Sequence, residues 1–202
     1  LLSGTLNGFP RRRAVVDNAR YFREGGQGGI ETKRGCGQRC TFCADPVAKG
    51  RHIRLRAPGL VADEVELLLA QGVDCLHTCD AEFNLPRHHA EEICRELSER
   101  HLGDRVQWYA YLSPRPFDCR LAGMMRRAGC LGVNFGADSG DDAILARLGR
   151  IHRAEDLRRA VDACRAEGLA VMFDLLIGGP GETPASLEAT VTLMKDLSPD
   201  RV

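Results

Sequence analysis

Apolar and polar residues follow two rhythms along this chain, and the rhythms take turns. Over 58–71, Leu60, Val61, Val65, Leu68 and Leu69 recur at the spacing of a helix with one buried face, with Gly72 just past the end. Short apolar runs bounded by turn residues predict strands. In order, the pattern predicts a strand over 29–33, a helix over 58–71, a strand over 73–78, a helix over 87–100 and a strand over 106–112. A helix over 117–128 follows, then a strand over 131–135, a helical stretch to Leu148, a helix over 154–167, a strand over 169–177 and a helix over 184–197. Arg201 and Val202 begin a sixth strand. Strands alternating with helices through short glycine-bearing turns imply an α/β fold with parallel strands and right-handed crossovers. Periodicity leaves open whether the sheet is doubly wound or curls into a barrel-like arc.

Composition narrows the class without naming a function. Two hundred and two residues suit one sizeable domain. The 44% hydrophobic and 28% charged residues are ordinary for a globular chain, and no apolar run is long enough to span a bilayer. Twenty-eight basic residues cancel twenty-eight acidic ones, so neither nucleic acid nor an anionic membrane is an expected partner. Residues 1–27 carry little periodicity and read as a connector from a preceding domain, with Arg11-Arg12-Arg13 as a solvated surface. The core is expected over 28–202, with the chain closing as the sixth strand starts.

The chemistry concentrates in one loop. Cys36, Cys40 and Cys43 lie at intervals of four and three, flanked by glycines and followed by a turn at Asp45-Pro46. Short runs of this kind gather thiolates for iron-sulfur clusters, and three cysteines would leave one iron of a four-iron cluster without a protein thiolate. A zinc site would need a fourth ligand, for which His52 is the candidate. Nine cysteines are an odd number with no secretory leader in view, so free thiols in a cytoplasmic protein are expected rather than disulfides.

With Phe42 just before the last of them, Cys36, Cys40 and Cys43 resemble the cluster loop of the radical S-adenosylmethionine superfamily. The resemblance implies a partial six-stranded (β/α) barrel and a 4Fe-4S cluster on the three cysteines. It also implies S-adenosylmethionine (SAM) chelated to the open iron through its amino and carboxylate groups. Parallel βα units present their chemistry at the carboxyl ends of the strands, which directs attention to the loops there.

After the second strand, Asp80-Ala81-Glu82 stands where the family carries its acidic amino-group segment, which makes Glu82 the preferred ammonium partner and Asp80 its neighbour. The alternative is that the same two acids simply cap the next helix. On the third strand, Tyr109 and Tyr111 share a face by the period of two. They either look into the barrel, with Arg115 available to the SAM carboxylate, or are core and rim aromatics, while Trp108 reads as packing. After the fourth strand, Asp138 and Ser139 resemble the ribose-contacting segment and also make a sound helix start. After the fifth, Ile177-Gly178-Gly179 resembles the adenine-binding segment, and no Gly-Lys-Ser/Thr follows it to suggest a triphosphate loop. Cys79, at a strand end, is the remaining thiol candidate for catalysis beside Tyr109 and Tyr111, while most other cysteines read as small buried apolar residues.

The entry stretch from Tyr21 to Thr32 and the loop from Asp80 to Asn84 resemble the cobalamin-dependent methylases of this superfamily, in particular the tryptophan 2-C-methyltransferases of peptide-antibiotic biosynthesis. That implies cobalamin as a further cofactor and a small-molecule substrate such as tryptophan. It also implies an electron donor of the flavodoxin or ferredoxin kind where SAM is cleaved reductively. No Asp-x-His-x-x-Gly run occurs, so cobalamin is expected to be bound mainly outside these residues. The rivals are a radical enzyme of another branch, such as an RNA methylthiotransferase, and a non-catalytic iron-sulfur electron carrier.

Overall fold

The computed structural model describes residues 15–202, so Arg11-Arg12-Arg13 lies outside the described residues. The connector expected over 1–27 contains a helix, α1 (Asn18–Arg23), that periodicity did not announce. Six residues are too few to show an apolar stripe, and a helix this short depends on caps and contacts. Asp17 caps it by accepting from Arg20 N at 2.8 Å. Asn18 donates to Gln71 at 3.0 Å, and Phe22 packs against the core.

The strand expected over 29–33 divides. β1 (Gly28–Ile30) joins the main sheet, while β2 (Lys33–Arg34) turns away. After the cysteine loop come α2 (Asp45–Ala48) and β3 (Arg54–Leu55), and β3 pairs antiparallel with β2 through Lys33–Leu55 and Arg34–Arg54. Then follow α3 (Pro58–Ala70), β4 (Cys75–Thr78), α4 (Arg87–Glu99), β5 (Gln107–Leu112), α5 (Cys119–Arg127) and β6 (Cys130–Asp138). The chain closes with α6 (Asp142–Arg147), α7 (Ala154–Glu167), β7 (Ala170–Leu175) and α8 (Pro184–Leu197). β6 runs three residues beyond its expected end at Phe135 and so carries Asp138.

Sheet order decides what periodicity left open. The five parallel strands stand as β1-β4-β5-β6-β7, in chain order throughout. A doubly wound sheet reverses its order at a switch point, whereas a barrel adds each strand beside the last. Successive helices pack side by side, α3 on α4, α4 on α5, α5 on α7 and α7 on α8. The result is a partial barrel whose five-stranded sheet is not closed on itself. Where a sixth strand is expected to begin, Arg201 makes an isolated parallel bridge to Met172: its N–H donates to Val171 O at 3.2 Å and its carbonyl accepts from Phe173 N at 3.1 Å.

The core fills the space between sheet and helices. On β5, Trp108, Ala110 and Leu112 are buried, while Gln107, Tyr109 and Tyr111 alternate to the other face. Trp108 is packing: its ring lies 5.1 Å from that of Phe83 and its indole N–H donates to Ala128 O at 2.8 Å. Of the six cysteines outside the loop, Cys94, Cys130 and Cys164 are buried core residues, and burial pushes the Cys164 thiol up to about 12. Cys75 is half-buried, and Cys79 and Cys119 are exposed, so the expectation of mostly buried cysteines holds for half of them.

Candidate functional site

The cysteine loop is pinched at its base by the β2–β3 pairing and closed by Cys36 N donating to Gly50 O at 3.0 Å. Gly35 makes the turn possible. Its φ is +102°, and a Cβ there would lie 2.2 Å from His52 O, so no side chain fits. His52 thereby contributes backbone to the neck.

Asp80 braces the same neck from beneath. Its carboxylate accepts from Thr32 N at 2.9 Å, from the Thr32 hydroxyl at 2.6 Å and from Lys33 N at 3.1 Å. His89 Nε2 meets Thr32 O at 3.1 Å from the side of α4. Burial raises the Asp80 carboxyl, opposed by the charge of Lys33 and by these bonds. Lys33 is 2% exposed, and its desolvation lowers its ammonium against the pull of Asp80, Cys36 and Glu82.

Two residues on, Glu82 faces the opposite way, into a cavity of about 310 Å³ at the carboxyl ends of the strands. Cys36, Cys40 and Cys43 line this cavity together with Phe42, Glu82, Tyr111, Asp138, Arg150 and Asp174. Arg150, whose side chain is 9% exposed, ties the walls together. Its Nη1 donates to Cys40 Sγ at 3.3 Å and to Glu82 Oε1 at 3.3 Å, its Nη2 to Gly136 O at 2.6 Å, and its Nε lies against Asp138 Oδ2. Asp138 turns toward it at the end of β6 with φ +57°. Burial raises both the Glu82 and the Asp138 carboxyls, with Arg150 pulling each down. Glu82 Oε2 is buried without a hydrogen-bond partner among the described residues.

The other expected site residues divide. Tyr111 lines the cavity, its ring edge-on to His77 at 5.0 Å, whereas Tyr109 is half-buried on the same strand face and outside the cavity. Asp80 does not line the cavity; its oxygens are taken by Thr32 and Lys33. Ser139 is fully buried, bonded to the Thr190 hydroxyl at 3.2 Å and to Asp141 N at 3.1 Å, so it anchors the start of α6 against α8. Arg115 is exposed and outside the cavity. Cys79 is exposed at the end of β4, its carbonyl accepting from Lys49 Nζ at 3.3 Å. Leu175 and Leu176 line the cavity, and Ile177 and Gly178 continue from them as exposed chain into half-buried Gly179, with Ile177 63% exposed and Gly178 N bonded to Glu182. Sequence reading missed Arg150 and Asp174, which follow or lie within ordinary elements and carry no motif. The only hint was an arginine placed directly after Gly149.

The donor set suits a soft metal centre. Three cysteines lining one cavity, an arginine on one sulfur and a carboxylate on the same guanidinium nitrogen supply thiolates and charge balance. Among the described residues no three His, Cys, Asp or Glu side chains are gathered closely enough to hold a metal ion. Convergence of thiolates is coupled to metal binding, because the thiols give up their protons to the metal and its charge then holds the anionic sulfurs together. Burial pushes the Cys36 thiol up, which favours the neutral form until then.

Comparison with known proteins agrees with this geometry. The family model described as the Radical SAM superfamily matches residues 30–194. The chain is 40% identical over 194 residues to a tryptophan 2-C-methyltransferase from Streptomyces laurentii, covering 90% of this chain and 32% of that protein. The structure of the radical S-adenosylmethionine methyltransferase TsrM from Kitasatospora setae, with cobalamin and a [4Fe-4S] cluster bound, superposes with a TM-score of 0.87 at 38% identity. It covers 96% of this chain and 38% of that one. The cobalamin-dependent radical enzyme OxsB shares the fold, with a TM-score of 0.75 at 20% identity over 87% of this chain and 27% of that one. The chain thus spans about a third of the length of these relatives.

Proposed function

Because this chain belongs to the radical SAM superfamily, we propose that it is the cluster- and SAM-binding core of a cobalamin-dependent C-methyltransferase acting on tryptophan. The observation that carries the reading is the common cavity of Cys36, Cys40, Cys43 and the unpaired Glu82 oxygen. The three cysteines would hold the 4Fe-4S cluster, which when bound supplies an iron with a vacant position for the methionine end of SAM.

The chain's own residues then have separable tasks. Glu82 offers Oε2 to the SAM ammonium, and desolvation strengthens that charge-assisted bond. Arg150 supplies the positive charge expected of Arg115, since Arg115 lies outside the cavity. Asp138, which lines the cavity where Ser139 does not, would meet ribose hydroxyls, and Phe42 would cover the loop side. The chain from exposed Ile177 and Gly178 to Gly179, continuing from the cavity wall, is offered to adenine. Tyr111 is the wall aromatic nearest to a substrate role; Tyr109 and Cys79 have none in this cavity.

Tryptophan is favoured by the Streptomyces laurentii relative and by the Kitasatospora setae enzyme, whose structure is known with tryptophan and a SAM analogue bound. Cobalamin is assigned to contacts beyond these residues. A flavodoxin- or ferredoxin-like donor is required only where SAM is cleaved reductively. No helix of the described residues is long and apolar enough to cross a membrane.

Anaerobic reconstitution with iron and sulfide, followed by electron paramagnetic resonance with and without SAM, tests the core of the reading. The reduced protein should give a cluster signal that SAM perturbs, and Cys40→Ala should give none. A signal indifferent to SAM would favour a plain electron carrier. Tryptophan binding to the full chain, measured by calorimetry, tests the branch, and equal binding of leucine would remove tryptophan from it.

A further inference from the structure

The turn after α6 is built against the cysteine loop at three consecutive residues. Leu148 O accepts from Thr41 N at 3.0 Å. Gly149, with φ +73°, brings its backbone so close that a Cβ would lie 2.5 Å from Arg39 O and 3.5 Å from Cys40 Cα. Arg150 then donates to Cys40 Sγ at 3.3 Å. Arg39, Thr41, Phe42 and Cys43 are themselves exposed, so the described structure gives the middle of the loop few other supports.

The guanidinium is also shared. The Nη1 that reaches Cys40 Sγ reaches Glu82 Oε1 at the same distance, Nη2 donates to Gly136 O, and Nε lies in ion-pair contact with Asp138. A fork anchored at both ends of its plane has little freedom to leave the sulfur. Hydrogen bonds to the sulfurs of a cluster, and positive charge beside it, stabilise the more negative reduced state and raise its potential.

We infer that Arg150 is a positioning residue: within the turn from Leu148 to Arg150 it fixes the middle cysteine of the cluster loop, holds Glu82 through the same nitrogen, and raises the potential of the cluster. This deepens the proposed function and rests on it. The assignment follows from the sulfur contact together with the two backbone contacts beside it. An arginine there for stability alone would not need to touch the thiol.

The test uses the full chain, reconstituted anaerobically, as wild type, Arg150→Met and Arg150→Lys. The readouts are the cluster midpoint potential and the rate at which a chelator removes iron. Arg150→Met should shift the midpoint to a more negative value and release iron about tenfold faster, the lower end of the effect seen when outer-shell partners of metal ligands are lost. Arg150→Lys retains charge but not the fork, so the midpoint should return toward wild type while release stays fast. Wild-type values of both quantities in Arg150→Met would overturn the inference. If Arg150→Met lacks the native circular dichroism spectrum, Arg150→Lys decides: fast release supports the role and a wild-type rate overturns it. A wild-type chain that takes up no cluster would instead overturn the functional reading beneath.

Discussion

Asp80 Oδ2 accepts the Thr32 hydroxyl at 2.6 Å, joining residues forty-eight positions apart and fastening the neck of the cysteine loop to the end of β4. Asp80 and Glu82 are two residues apart on one loop and face opposite ways. Glu82 turns to the cavity and Asp80 to the scaffold. Asp80→Asn keeps the shape and removes the charge, leaving Lys33 buried with a weaker counter-charge. It should destabilise the chain by about 1–3 kcal/mol in urea unfolding and lower iron uptake on reconstitution. Unchanged stability would show that the amide serves the Thr32 bonds as well.

Each loop cysteine should be needed for the cluster. Replacing Cys36, Cys40 or Cys43 singly with Ala should abolish stoichiometric iron and the visible charge-transfer absorbance, with the far-ultraviolet circular dichroism retained. Cys79→Ala, at an exposed strand end, should leave both unchanged. Loss of the cluster in Cys79→Ala would reassign that thiol to the site.

His152 provides a pH dependence. It is 2% exposed, with Nε2 3.3 Å from Ala137 O, and burial followed by the charge of Arg150 lowers it from 6.5 to about 4. The folded state therefore binds fewer protons than the unfolded chain between these values. Its contribution, on the order of 3 kcal/mol, is present above pH 6.5 and is lost as pH falls toward 4. Urea unfolding of the wild type should show this decline, and His152→Phe should flatten it.

Asn84 locks the second strand-end loop to the third. It is fully buried, donates to Ser113 O and Pro116 O at 2.8 Å each, and accepts from Ser113 N at 2.9 Å. Asn84→Ala strands three backbone groups, two of them buried, and should cost on the order of 3 kcal/mol in urea unfolding. Asn84→Asp retains the acceptor and loses the two donations, so it should not rescue stability. A near-neutral Asn84→Ala would mean that water replaces the amide.

The sequence by itself determined the elements with long periodic faces, since Leu60, Val65 and Leu68 or Trp108, Ala110 and Leu112 can satisfy only one local geometry each. It also determined the cysteine run, because a tight loop requires its ligands close together in the chain. What only the tertiary structure decided were relations between loops: the chain-order sheet, the split of β1 from β2, the separate roles of Asp80 and Glu82, and the exclusion of Ser139 and Arg115 from the cavity. Arg150 belongs with these. Its partners Cys40 and Glu82 lie 110 and 68 positions away, and no local pattern encodes a contact whose strength comes from burial and from charges brought together by folding.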